Sequence, residues 1–258
     1  MTAASPQSND AATRAEICAL ALAEAFRGDG EILASPIGVL PSIAARLARA
    51  TFEPDLLMSD GVASLVSGVT AIGSAGPVEG WLPYRTVFDV VWSGRRHVIM
   101  GASQIDRFGN QNIACIGPWA KPKAQLLGVR GAPGNTVNHT TSYFIPQHST
   151  RVFVEAVDCV SGVGYDRVAL AGPAAGKFHE IRCVITNLAV LDFETPDHSM
   201  RIRSLHPGVT ADEVQAATGF PLIVPPDLGE TRAPSDEDLR LLRELLDPKS
   251  LRDAELGT

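Results

Sequence analysis

The chemistry-bearing residues of this chain crowd the end of one apolar run. His97-Val98-Ile99-Met100 is followed directly by Gly101-Ala102-Ser103-Gln104-Ile105-Asp106-Arg107-Phe108-Gly109-Asn110-Gln111-Asn112. Glycines, amides and a carboxylate cluster where a chain usually just turns, which marks a site at the edge of a sheet. Gln104 and Asp106 lie two apart and share a face if extended, and Asn110 and Asn112 repeat that spacing. Such a set either orients a ligand or satisfies a buried turn, and the residues alone leave both readings open. A second carboxylate, Asp60 in Ser59-Asp60-Gly61, follows the apolar Leu56-Leu57-Met58. It either points into a cleft or caps a turn. The third stretch, Gly128-Val129-Arg130-Gly131-Ala132-Pro133-Gly134-Asn135, has glycine at every third position. Its exposed amides can cradle an anion or oxyanion. It lacks the dinucleotide-binding spacing, and no matching helix is expected after it. Asn138 and His139 follow. His139 can carry a proton near neutrality or serve as a hydrogen-bonded structural residue. His97 and the Asp197–His198 pair read as structural, and no serine sits in a glycine-flanked elbow.

The elements that must position these residues alternate. Thr13 and Glu16 have capping-box spacing before a largely buried helix over Ala15–Phe26, closed near Gly28 and Gly30. A short strand over Glu31–Ser35 and a helix over Leu40–Ala50 follow. On that helix Arg46 and Arg49 can turn outward while Ile43 and Leu47 face the sheet. After the strand Leu56–Met58, residues 61–80 read as a long glycine-rich loop. A helix over Thr86–Trp92 leads into the strand His97–Met100. Further apolar segments are Gln125–Val129, Val152–Val157, Ile181–Asn187, Leu188–Phe193 and Met200–Leu205. Thr210 and Glu213 open another helix, and Ser235-Asp236-Glu237-Asp238 a terminal one to Leu246. The alternation predicts an α/β fold: an open, mostly parallel sheet flanked by helices, with ligand-binding loops beyond the strand carboxyl ends. Residues 1–12 are expected to be disordered, residues 13–250 to form a single domain, and residues 251–258 a polar tail.

The 258 residues, 45% hydrophobic and 20% charged, suit a globular core. A net charge of −7 argues against nucleic acid as a partner. Cys18, Cys115, Cys159 and Cys183 have neither metal-site nor redox-motif spacing and read as buried free thiols. No signal peptide and no apolar run of about 18 residues is visible, so a cytoplasmic protein without membrane contact is expected.

Four stretches together resemble the beta subunit of the class I CoA-transferase family, in its glutaconate CoA-transferase-like branch. They are Leu57-Met58-Ser59-Asp60-Gly61, the run from Gly101 to Asn110, Arg151-Val152-Phe153-Val154-Glu155-Ala156-Val157-Asp158, and His206-Pro207-Gly208-Val209-Thr210 with Ala217-Thr218-Gly219-Phe220. The resemblance extends from Arg14 to Ser250 and is greatest to the actinobacterial members that open the last carbocyclic ring left from cholesterol. It implies a homologous alpha subunit in an α2β2 heterotetramer, an active site between the two chains, a CoA-thioester substrate, and neither a bound cofactor nor a metal. In transferring members a glutamate in a Glu-Asn-Gly or Glu-Ser-Gly setting attacks the acyl-CoA; the matching position here is Asp60. Aspartate is one methylene shorter, and a misplacement of about 1 Å can cost ~10²-fold in rate.

The resemblance therefore implies hydrolytic carbon–carbon cleavage of a cyclic 1,3-dicarbonyl, with the general base a glutamate on the alpha subunit. Asp60 is expected to orient water or substrate. Gly131, Gly134 and Asn135 are expected to wall the thioester or oxyanion, with His139 as a further catalytic candidate. Gln104, Asp106, Asn110 and Asn112 are expected to stiffen the site from behind. A true acyl-CoA:carboxylate CoA-transferase subunit and a noncatalytic stabilising subunit remain as alternatives. A sugar-phosphate isomerase is disfavoured because the glycine loop carries only Arg130.

Overall fold

The computed structural model describes residues 11–60, 63–74 and 76–256. The helices are α1 (Arg14–Glu24), α2 (Val39–Thr51), α3 (Tyr84–Ser93), α4 (Ala132–Asn138), α5 (Tyr165–Ala171), α6 (Pro173–Gly176), α7 (Ala211–Ala216) and α8 (Asp236–Arg240), which runs on as a π-helical segment over Leu241–Leu246. The strands are β1 (Leu33–Pro36), β2 (Met58–Ser59), β3 (Ser64–Val66), β4 (Val78–Trp81), β5 (Arg96–Met100), β6 (Gln104–Ile105), β7 (Gln111–Asn112), β8 (Cys115–Ile116), β9 (Ala124–Gln125), β10 (Thr140–Ile145), β11 (Glu180–Thr186), β12 (Ala189–Asp192), β13 (Arg201–Leu205) and β14 (Gly229–Glu230).

One seven-stranded sheet, ordered β1-β5-β10-β11-β12-β13-β14, carries the molecule. β1, β5, β10 and β11 run parallel, β12 is antiparallel to both neighbours, and β14 pairs parallel with β13. The open, mostly parallel sheet expected from the sequence is present, and it is covered on both faces. Side-chain alternation divides the central strands between two cores. Ile99, Phe144, Cys183 and Ile185 pack beneath α1 and α2, whereas Val98, Met100, Tyr143, Ile145 and Val184 pack on the other face. Ile181 and Cys183 lie two apart yet face opposite cores. The register shift between Thr141 and Ser142, where Arg182 is skipped, accounts for this inversion.

Both early helices form where their sequence signals place them. Thr13 and Glu16 close a reciprocal capping box on α1, and Ala15–Ala23 is buried on every side, Glu16 being the one charged residue among small and apolar ones. Thr210–Glu213 and Ser235–Asp238 form the same box at α7 and α8.

Several segments depart from the expectation. The stretch expected as a loop over 61–80 contains β3 and β4, which extend β2 into a small antiparallel sheet. A short helix, α4, does begin inside the glycine-rich stretch, with Pro133 near its start. β10 occupies the centre of the main sheet although Thr140, Thr141 and Ser142 disguise it among polar residues. Val152–Val157 is irregular apart from one bridge between Phe153 and Ile105, and Gln125–Val129 is mostly irregular. Cys18, Cys115 and Cys183 are buried free thiols, but Cys159 is only half-buried. Residues 1–10 of the segment expected to be disordered, and Gly61, lie outside the described residues.

Residues 251–256 are not a loose tail. Leu251–Glu255 forms a 3₁₀ turn that packs on α2. The Glu255 carboxylate accepts from the backbone amides of Val39 at 3.3 Å and Leu40 at 2.5 Å. It caps a helix whose own N-cap, Gly38, has no side chain to do so. Gly38 has φ +122, and a Cβ there would lie 2.6 Å from Glu255 Oε1. Beside this turn the buried Glu16 carboxylate takes Arg243 at 2.7 Å and Arg252 at 3.1 Å, and Arg252 also donates to Asp247 at 2.9 Å. Replacing Arg252 by Met leaves two buried carboxylates short of a partner. The expected loss is about 3–5 kcal/mol, read as a lower urea midpoint at unchanged slope; a midpoint like that of the unsubstituted chain would show that the cluster adds nothing.

Candidate active site

A cavity of about 510 Å³ opens between β1, the start of α2, the small sheet, α3 and α4. Ser35 of β1 and Ile37 just beyond that strand line it, and Ser42 and Arg46 lie one helical turn apart on α2. Ser59 and Asp60 enter from the end of β2, Arg96 from the start of β5, and Asn135 from α4. Tyr84, Val87 and Val90 of α3 supply an apolar wall. The mixture of apolar wall and few convergent polar groups, in a volume of this order, is that of a small-molecule site.

Asp60 is held by its own turn. Its Oδ1 accepts from the backbone amides of Ala63 at 2.9 Å and Ser64 at 3.0 Å, and its amide donates to the Ser64 carbonyl at 2.9 Å. The two local readings of this residue are therefore combined: it closes the β2–β3 turn and lines the cavity. Two guanidinium groups share the cavity. Arg46 donates to the Ser42 carbonyl at 2.9 Å, and burial lowers its pKa. Arg96 is 7% exposed and donates through Nη2 to Asn135 Oδ1, while its Nε is buried with no partner. Burial pushes its pKa down to about 10. Asn135 is thereby fixed, its Nδ2 donating to Met100 Sδ at 3.8 Å.

The other expected site residues lie elsewhere. Gly131 is the N-cap of α4 and does not line the cavity. Gly134 faces α3, where a Cβ would come within 2.7 Å of Val91 Cγ1, so its smallness serves helix packing. His139 ends α4 and its ring bonds the Val91 carbonyl at 2.9 Å, away from Asp60. Burial, helped by the Arg96 charge, lowers its pKa to about 4, which favours the neutral ring.

Gln104, Asp106, Asn110 and Asn112 are buried but do not touch the cavity. Asn112 donates to Gln104 Oε1 at 2.7 Å, and Gln104 donates to Asp158 at 3.0 Å. Asn110 donates to Asp106 at 3.0 Å and Asp166 at 2.7 Å, and accepts from the Gly164 amide at 2.8 Å. Burial raises the Asp106 pKa against the opposing pull of these Asn110 bonds. The pairs thus fasten the β6–β7 hairpin to residues 158–166. Val163 in turn donates to Thr136 Oγ1 of α4 at 3.1 Å, so the hairpin braces the helix that carries Asn135.

Arg46, Arg96, Ser35 and Ser42 were not anticipated as cavity residues. Arg96 follows a helix and Arg95, where basic residues ordinarily answer the helix dipole. The Ser42–Arg46 spacing was the one available signal for the α2 face. Among the described residues no group of three or more His, Cys, Asp or Glu side chains is arranged to hold a metal. No described helix is long and apolar enough to cross a membrane.

The sheet order, its flanking helices and the acidic turn at the end of β2 define the class I CoA-transferase fold. Glutaconate coenzyme A-transferase from Acidaminococcus fermentans superposes with a TM-score of 0.81 at 23% identity, over 97% of this chain and 100% of that one. No family model matches the chain. The chain belongs to the family of the cholesterol ring-cleaving hydrolase IpdB subunits. The subunit of that name from Rhodococcus jostii RHA1 is 57% identical over 245 residues, covering 95% of this chain and 96% of the relative. The crystal structure of Rhodococcus jostii RHA1 IpdAB superposes with a TM-score of 0.92 over 96% of this chain and 99% of that chain.

Burial holds His139 and His206 near a pKa of about 4 and His148 near about 3. These folded values lie below the ordinary 6.5, so the unfolded chain binds protons first as the pH falls. The stability these rings contribute is complete above about pH 6.5 and is lost as pH falls toward 4. The urea midpoint should be lower at pH 5 than at pH 7.5. The His139 imidazole NMR signals should not titrate between pH 8 and 5.5; a midpoint near 6.5 would contradict its burial.

Proposed function

We propose that this chain is the beta-type subunit of a heteromeric hydrolase that opens the last steroid-derived ring of a cyclic 1,3-dicarbonyl CoA thioester. The observation that carries this reading is 57% identity, across nearly the whole of both chains, to a subunit named for cholesterol ring cleavage. The shared architecture with IpdAB supports an assembly with a homologous alpha subunit as α2β2. The polar cavity then lies between the chains, and the general base is a glutamate of the partner. The substrate is itself the CoA thioester, and no bound cofactor is needed.

The chemistry follows from the substrate class. Water adds to the ring carbonyl, with its proton taken by the base. The ring carbon–carbon bond then breaks, and its electron pair passes onto the neighbouring carbonyl as an enolate. Protonation of the enolate carbon gives a ring-opened carboxylic acid that keeps its thioester. The protein must orient water and stabilise oxyanions. Asp60 suits the orienting role, because its carboxylate is anchored by the amides of Ala63 and Ser64, and anchoring favours orientation over covalent attack. Asn135, fixed by Arg96 and Met100, stands as a polar contact to the acyl group.

The primary test is turnover of the ring-retaining thioester by the co-purified α–β complex, followed by mass spectrometry. The expected product is the substrate plus one water with CoA retained; transfer of CoA to an added carboxylic acid would make the complex a transferase. Within the complex, Asp60→Asn keeps an oxygen for the two turn amides but removes the charge. It should lower kcat by about 10²-fold, the scale of a positioned acid–base or orienting group, at unchanged thermal stability. Unaltered turnover would leave Asp60 a turn residue only.

A further inference from the structure

We infer that a second cavity, where the central parallel strands begin, binds a nucleoside phosphate that is not part of the substrate.

This cavity has a volume of about 510 Å³. It opens at the amino ends of β5, β10 and β11, between the last turns of α3 and α4 and the segment that follows α6. Asp60 instead follows the carboxyl end of β2, on the chain segment that runs parallel to β1 and, through β1, to β5. Arg96 is the one residue that lines both cavities.

Charge, aromatic surface and hydrogen-bonding capacity each narrow the ligand. Arg95 and Lys177 stand exposed in the wall, and among the described residues neither forms an ion pair. The Lys177 ammonium lies 5.0 Å from the centroid of the Phe178 ring. The carboxylate in the wall, Glu180, is already engaged: Oε2 accepts from Thr140 at 2.7 Å and Oε1 from Arg182 at 2.9 Å. A cleft with uncompensated positive groups concentrates anions, and a guanidinium fork matches phosphate oxygens. Trp92 is 76% exposed and Phe178 is 60% exposed, which gives the cavity flat faces on which a heteroaromatic base can stack.

Two histidines complete the wall. His139 is 2% exposed, and its Nε2 donates to the Val91 carbonyl at 2.9 Å, so in the neutral ring Nδ1 is an acceptor. His179 Nδ1 donates to the Thr136 carbonyl at 2.6 Å, which makes its Nε2 an acceptor as well. Both acceptor nitrogens are buried without a partner. Such a wall suits a ligand that brings N–H or O–H donors, as a nucleobase and a sugar do. Inorganic phosphate would use the cations alone, and an apolar ring the aromatic faces alone. A nucleoside phosphate answers all three features.

The test titrates the α–β complex calorimetrically with adenosine monophosphate, adenosine and inorganic phosphate. The monophosphate should bind once per beta-type chain, at least about tenfold more tightly than either of the others, the scale of a charge-assisted hydrogen bond. Arg95→Met and Lys177→Met should each weaken it about tenfold, and Trp92→Ala should do so through lost stacking, also about tenfold. Arg95 and Lys177 are exposed, so neither replacement should move the melting temperature of the complex. Absence of monophosphate binding by the unsubstituted complex, or binding unchanged in both charge variants, would overturn the proposal. The nucleotide end of coenzyme A carries the same chemistry, and steady-state turnover separates the two sources. The KM of Arg95→Met and Lys177→Met for the ring-retaining thioester should equal that of the unsubstituted complex. A rise in KM matching the loss of monophosphate affinity would place the substrate's own nucleotide here and overturn a separate ligand. The titration needs no turnover, so its failure is distinct from failure of ring cleavage.

Discussion

The burial of Arg96–Met100 along its whole length is the constraint on which the rest of the molecule depends. A strand buried on both faces must feed two cores at once, and β5 does so with Ile99 on one side and Val98 and Met100 on the other. Its parallel neighbours β1 and β10 cannot return by hairpins. They need crossovers, and those crossovers supply α2, α3 and α4 around one end and face of the sheet. The cavity is the space these crossovers leave. Full burial of side chains such as Ile99 contributes roughly 1.5–3 kcal/mol each, enough to hold a polar residue such as Arg96 at the strand's end.

Polar groups in this fold divide by whether their partners are internal. The Glu16–Arg243–Arg252–Asp247 cluster pairs its buried carboxylates with guanidinium groups and ties the C-terminal turn to α1. The amides of the β6–β7 hairpin are likewise answered by Asp158, Asp166 and Gly164. They brace α4 from behind, which gives the polar motif after Met100 a scaffolding role. Arg46 and Arg96 are answered only by neutral oxygens.

Asp60 both closes a turn and lines the cavity. Its backbone and Oδ1 close the turn between β2 and β3, which fixes the carboxylate at the cavity's edge.

Local signals in the sequence determined the elements whose causes are local. The capping boxes at Thr13, Thr210 and Ser235 place helix starts through contacts three residues long, and the runs His97–Met100 and Met200–Leu205 mark strands by their own apolarity. Asp60 and Asn135 were also singled out in the sequence, as a carboxylate at a strand end and an amide beside a glycine, and both line the cavity. The remainder depended on contacts between distant segments. β10 is a central strand because β5 and β11 bury it on both sides, despite its threonines. Gly134 is a packing glycine only because α3 brings Val91 against it. The His139 pKa is lowered because burial and Arg96 make its charge costly. Arg46 and Arg96 lie fifty residues apart in the chain, and they share a cavity only because α2 and β5 pack around the same edge strand, β1. Local sequence sets backbone preference, but the environment of a charge is set by whatever the fold brings beside it.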